Sequence, residues 1–328
     1  MTKNFLKLKY FNGWYLFLLL SFPLCLFNFL TMNEYDTKSP ENISYLISYS
    51  IRWAVPFIYI VMMASSLRIL FPGSFSAWLV RNRKYIGLIF ALGMAWQALF
   101  IFMLSNYHRD YYYNEVFYFR DEIEGSIGYI FLTLMVATSF KKIASKINSY
   151  QWKLIQKSGL YFLWAYAFSV YWWNLFYYPF QQGGVSPRLV DYIFYWVGFI
   201  AFAVRIAAWS KSKIKSVQFR QSLALRCIGY TFVLLGIFMA GTGNLWLGAV
   251  NKITYYFAFS EETSLWLPFW PLEPFFSLIL ISFAFLCYTL PYSASTSALL
   301  CLTLPFTMPR PQPYLSRIHI SEPTRQAE

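Results

Sequence analysis

The sequence predicts an all-α fold, a polytopic transmembrane helix bundle of about eight helices, and three observations predict it. Of 328 residues, 58% are apolar and only 12% are charged. A soluble domain carries about 25% charged residues to cover its surface. Eight segments meet or approach the ~20 mainly apolar residues of a spanning helix: 14–31, 47–67, 86–104, 125–140, 158–177, 191–209, 227–243 and 275–290. The stretches that join these segments alternate between basic and acidic.

Taken in order, the first segment is too long and unbroken for a signal-peptide core and has no small-residue cleavage site, so it reads as a retained helix. Lys3, Lys7 and Lys9 precede it. Arg68, Arg81, Arg83 and Lys84 fall between the second and third segments. Lys141, Lys142, Lys146, Lys153 and Lys157 fall between the fourth and fifth, and Lys211, Lys213, Lys215, Arg220 and Arg226 between the sixth and seventh. None of these four stretches contains Asp or Glu. The alternate stretches hold the acids, among them Glu34, Asp36, Glu41, Asp110, Glu115, Asp121, Glu122, Glu124 and Asp191. Cytoplasmic loops are enriched in Lys and Arg. The pattern therefore places the N-terminus and the basic loops in the cytoplasm of a cell membrane, bacterial inner membrane in type. Moving the helix count by one inside the first seven would break the alternation. The net charge of +13 is then a topology and lipid signal, and nucleic acid is not an expected partner.

The loop 105–124 carries Tyr111-Tyr112-Tyr113, Phe117, Tyr118 and Phe119. These fit an aromatic belt at headgroup level, with a lid or docking surface as the other reading; Trp172-Trp173, Tyr177-Tyr178 and Trp266 raise the same choice. Gln182-Gly183-Gly184 and Pro187 mark a turn before the sixth helix. Cys25, Cys227, Cys287 and Cys301 form no C-x-x-C pair and read as small buried hydrophobes.

Two blocks resemble a known family. The first is Arg52-Trp53-Ala54, Ala64-Ser65-Ser66-Leu67, Pro72, then Leu79-Val80-Arg81-Asn82-Arg83-Lys84-Tyr85-Ile86-Gly87-Leu88. The second runs from Gly128-Tyr129-Ile130-Phe131-Leu132 through Ala137-Thr138-Ser139-Phe140 to Trp152-Lys153-Leu154-Ile155-Gln156-Lys157-Ser158-Gly159-Leu160-Tyr161-Phe162-Leu163-Trp164. In this order they resemble the ferric reductase-like transmembrane family, over roughly 45–210. The resemblance implies a six-helix core, here with about two helices added. It also implies haem b held by His pairs on facing helices, and electrons crossing to ferric iron or to a membrane or periplasmic redox partner. Neutral imidazole is a strong axial donor to haem iron, and donors on facing helices anchor the macrocycle in the bundle.

The ligand positions carry other residues. Gln97 and Gln156 stand where the family places its His, Ser169 stands at a further His position of the superfamily, and Met94 at a position where some relatives have a second His. His108 is the one His before the C-terminal stretch, and it reads as an interfacial residue at the end of the third helix. Met94 offers a thioether and otherwise packs. Gln97 and Gln156 are amides suited to hydrogen bonds between helices. Arg52, inside the second helix, either pairs a haem propionate or snorkels outward; Arg205 is expected to snorkel to the cytoplasmic headgroups.

These residues predict a haem-poor or haem-free bundle with no catalytic or metal site and no expected cofactor, acting as scaffold or partner subunit. The alternative is a haem b-binding electron-transfer protein; any enzymatic role would be that of a transmembrane oxidoreductase. A transporter is disfavoured by the lack of paired intramembrane acids and of a Gly/Pro-broken helix pair. No phosphate loop or dinucleotide fingerprint is present.

The expected divisions are 1–42 (N-terminal segment, first helix and outer loop), 43–210 (ferric reductase-like core), 211–292 (additional helices) and 293–328. Leu315-Ser316-Arg317-Ile318-His319-Ile320-Ser321-Glu322-Pro323 resembles a translated sequencing adapter, and the Ser/Thr/Leu-rich stretch before it loses the helical pattern. The last division is therefore expected to be frame-shifted or adapter-derived, with a genuine basic tail as the alternative.

Overall fold

A computed structural model describes residues 6–181, 184–214, 223–257, 269 and 272–289. The expectations for 293–328 and those on Lys3, Gln182, Gly183, Lys215, Arg220, Trp266 and Cys301 lie outside the described residues. Among the described residues nine main helices follow one another: α1 (Gly13–Glu34), α2 (Pro40–Leu70), α3 (Ser74–Tyr107), α4 (Phe119–Thr138), α5 (Ser149–Phe176), α6 (Leu189–Ile214), α7 (Leu223–Gly241), α8 (Gly243–Phe257) and α9 (Phe276–Cys287). No strand occurs among the described residues. The fold is the expected all-α bundle, and α1, α2, α3, α6 and α7 are long and apolar enough to cross a membrane. Large apolar side chains face outward along the bundle, Phe22 and Leu234 each 69% exposed. Water would not tolerate so extended an apolar surface on a monomer. The chain is a membrane protein.

Eight of the nine helices correspond to the eight predicted segments. The ninth, α8, was not predicted. Its 15 residues reach about 22 Å at 1.5 Å per residue, short of the ~30 Å hydrocarbon layer. Its Trp246 ring lies 5.8 Å from that of Trp172, near the end of α5, and 6.1 Å from Phe276 at the start of α9. The start of α8 therefore packs beside the end of α5 and the start of α9. Trp172 itself is buried in the core, so it is a packing residue and not part of an interfacial belt.

Several helices start earlier than hydropathy suggests, because caps rather than apolarity set their ends. Before α3, the Gly73 N–H donates to Ser76 Oγ at 3.1 Å, and Ser76 Oγ donates to the Phe71 carbonyl at 2.8 Å. Arg81, Arg83 and Lys84 consequently lie on α3 and not in a loop. At α5, Gln151 N donates to Asn148 Oδ1 at 2.8 Å and Asn148 N donates to Gln151 Oε1 at 3.1 Å. This reciprocal capping box puts the whole Trp152–Trp164 motif on one helix.

The basic stretches gather at one end. Arg81 donates to Asn12 Oδ1 through Nε at 2.9 Å and Nη2 at 2.6 Å, and Trp78 Nε1 donates to the Phe11 carbonyl at 2.7 Å. Lys211 Nζ donates to the Leu70 carbonyl at 3.1 Å, joining α6 to the end of α2. Lys84 Nζ sits 4.9 Å from the Phe140 ring centroid. At the opposite end, Tyr112 is buried against Ile43, Leu46, Phe100 and Leu104, and its hydroxyl donates to Glu122. Burial first, then this carboxylate, raises the Tyr112 pKa. Tyr113, Phe117, Tyr118 and Phe119 stay exposed beside it.

Asn82, in the middle of the Arg-Asn-Arg-Lys motif, explains part of that motif structurally. It is 1% exposed. Its Oδ1 accepts from the Gly13 N–H at 2.9 Å, and its Nδ2 donates to Asn12 Oδ1 at 3.1 Å and to the Trp78 carbonyl at 3.1 Å. A helix leaves its first N–H groups unpaired, and α3 satisfies this one for α1. Asn82→Ala is expected to lower stability by about 1–3 kcal/mol, the cost of a buried donor left unpaired. Thermal unfolding in detergent measures it; a change within ~0.5 kcal/mol of the wild type would mean that water takes the place of the amide.

Candidate functional site

α4 stands between α3 and α5, and the Gln97 and Gln156 amides both point to it. Gln97, on α3, is buried, and the Tyr129 hydroxyl of α4 donates to its Oε1 at 3.0 Å. The Met94 carbonyl, 3.2 Å from the same hydroxyl, is its other acceptor. Gln156, on α5, donates through Nε2 to the Met135 carbonyl and to Thr138 Oγ1, each at 2.9 Å. Trp152 Nε1 adds a bond to the Thr138 carbonyl at 3.0 Å. These bonds close the basic end of the α4–α5 pair.

The two amides meet α4 at different depths. Met135 and Thr138 lie six and nine residues beyond Tyr129, about 9–14 Å along the helix axis. The chemistry differs as well, since neutral imidazole is the donor the resemblance calls for. The residues at these positions do not fit bis-imidazole haem.

The other expected positions are dispersed. The Met94 side chain packs against the main core. Ser169 Oγ donates to the Tyr166 carbonyl within its own helix at 2.9 Å. Arg52 is half-buried on α2, within electrostatic reach of Tyr171 on α5. His108 ends α3 with its N–H on the Leu104 carbonyl. Its Nε2 stands 3.3 Å from the Thr37 carbonyl, which ties the α1–α2 connection to α3. No group of three or more His, Cys, Asp or Glu side chains able to hold a metal occurs among the described residues. Cys25 and Cys287 are half-buried free thiols, whereas the Cys227 thiol is exposed on α7, the side a lipid-facing residue takes.

Arg205 departs from the snorkelling expectation. It turns into the bundle, where Nε donates to the Tyr161 hydroxyl at 2.5 Å and Nη1 to the Met62 carbonyl at 3.2 Å. The guanidinium also stands over the Tyr161 ring, 4.8 Å from its centroid. One side chain thus joins α6 to α5 and α2.

Arg205 also reaches a cleft of about 660 Å³ at the basic end, bounded by α3, α4, α5 and the turn after α4. Arg83, Lys84, Lys141, Lys153 and Lys157 line it with Arg205, and Gln156 and Thr138 lie on its wall. The floor is apolar, with Ile58, Val61, Phe90 and Leu132. No carboxylate lines it among the described residues. The cleft was missed in the sequence, although Lys153 and Lys157 sit at i and i+4, a spacing that puts both on one helix face. No family model matches the chain, and no curated protein or solved structure is significantly similar to it.

Proposed function

We propose that this chain is a ferric reductase-like membrane protein whose bundle has exchanged haem ligation for helix-to-helix hydrogen bonds and serves as a scaffold or partner subunit. One observation carries the reading: Gln97 and Gln156, the two ligand-equivalent residues, each tie a neighbouring helix to α4. An amide pair of this kind contributes about 0.6–2 kcal/mol per bond in a membrane, so each position has a structural use without metal. The basic ends of the helices face the cytoplasm of a bacterial inner membrane, by the Lys/Arg bias of the connections. The opposite end, with its acids and exposed aromatics, faces outward and offers a periplasmic partner its surface.

The test is the absorbance of protein purified from a haem-replete host. The expected spectrum has no Soret band at stoichiometric intensity. A stoichiometric band that disappears in Gln97→Ala or Met94→Ala would replace this reading with that of a haem b electron-transfer protein. The same Gln97→Ala variant in the haem-free protein is expected to lower stability by about 1 kcal/mol, because the Tyr129 hydroxyl loses an acceptor.

A further inference from the structure

The six cations of the basic cleft come from four separate parts of the chain: α3, the turn after α4, α5 and α6. Like charges brought together from separate elements repel, and Arg83 and Arg205 lie within electrostatic reach of each other. No acid lines the cleft among the described residues, so none of these residues neutralises the cations there. Arg205 is held by Tyr161 and Met62, and Lys84 is held against the Phe140 ring, so part of this charge is fixed in place before any anion arrives.

We propose that this cleft binds the phosphate of an acidic phospholipid, with the cations on the headgroup and the apolar floor against an acyl chain. Its shape fits that occupant. A site for a free small anion needs a polar pocket of modest size. This one is about 660 Å³ and runs from a cationic rim onto Ile58, Val61, Phe90 and Leu132. Basic pockets between transmembrane helices on the cytoplasmic side are suited to anionic headgroups. Lys157 and Arg205 also line a second cleft of about 650 Å³ beside Ser65, Ile69, Phe283 and Leu286. The two cations therefore border both clefts, and each cleft offers apolar residues to an acyl chain. The inference is independent of whether the bundle ever held haem.

Native mass spectrometry of the full chain, released from neutral detergent after titration with defined lipids, tests it. Phosphatidylglycerol is expected to remain bound with an affinity at least about tenfold above that of phosphatidylcholine. The double variant Lys153→Gln/Lys157→Gln is expected to weaken phosphatidylglycerol by about tenfold or more. Lys146→Gln, an exposed lysine outside the cleft, is expected to leave it unchanged. Millimolar inorganic phosphate is expected to leave the lipid in place. Equal retention of the two lipids by the wild type overturns the proposal, and that comparison stands even if the double variant fails to fold. Unchanged binding by a folded double variant overturns it too. Full displacement by phosphate would assign the cations to a free anion and overturn the lipid assignment.

Discussion

Gly93→Val is expected to destabilise the bundle by about 2 kcal/mol, and Ala54→Gly in the same chain is expected to recover part of that loss, because it removes the Cβ contact and leaves the backbone one. α2 and α3 form the most extensive helix pair among the described residues, and Gly93 faces Ala54 across it. A Cβ built on Gly93 would stand 2.7 Å from the Ala54 Cβ and 3.2 Å from its Cα. The second atom is backbone, so no rotamer change relieves the clash and the helices must move apart. Ala54 is fully buried, which leaves no open side to absorb the shift. Overpacking of this kind costs about 1–3 kcal/mol, and small residues are what let membrane helices pack closely. Thermal unfolding of the four members of the cycle in one detergent gives the coupling between the sites. A coupling of about 1 kcal/mol or more is expected for residues in direct contact. Strict additivity would mean that the two side chains do not meet. The displacement also reaches Gln97, one turn further along α3, so Gly93→Val is expected to loosen the Tyr129 bond as well.

Much of this architecture was legible because a bilayer imposes a length and a polarity on each crossing. The eight apolar segments emerged as helices, and the alternating charges emerged as one basic end. What escaped prediction has physical reasons. α8, at 15 residues, is too short to register as a crossing. The starts of α3 and α5 were placed about ten residues late. Their first turns extend past the apolar run, and the Ser76 and Asn148/Gln151 caps, not apolarity, fix them. The capping box was visible as Asn148-Ser149-Tyr150-Gln151 and could have corrected the second case.

The site was legible in residue type and not in partnership. Gln97 and Gln156 stood out as amides in an apolar setting, but their acceptors and donors on α4 depend on how each helix is rotated about its axis. At 3.6 residues per turn, a small change in that rotation would turn Tyr129 from Gln97 toward lipid. The basic cleft depends on it still more, since its cations come from positions as distant as Arg83 and Arg205. Trp172 shows the limit from the other direction: its composition suits an interface, and its place on α5 buries it in the core.

Arg205 offers the sharpest contrast between the two readings of a charged residue near a helix end. A side chain that snorkels is replaceable, because its partners are water and headgroups. One that bonds to the Tyr161 hydroxyl and the Met62 carbonyl while covering an aromatic ring is not. Hydrogen bonds to a charged group contribute about 1.5–3 kcal/mol, and a partly desolvated cation over an aromatic ring about 0.5–2 kcal/mol. Arg205 is only half-buried, which discounts both terms, so Arg205→Leu is expected to cost about 2–3 kcal/mol in thermal unfolding. Arg205→Lys keeps the charge but replaces the planar fork by a single ammonium, which cannot address both acceptors in the same geometry; about half the loss is expected to remain. In a cycle with Tyr161→Phe, the coupling is expected to be about 1 kcal/mol or more. If Arg205→Lys matches the wild type and Arg205→Leu costs less than ~0.5 kcal/mol, the guanidinium spends its time at the headgroups, and α2, α5 and α6 hold together through their apolar faces alone.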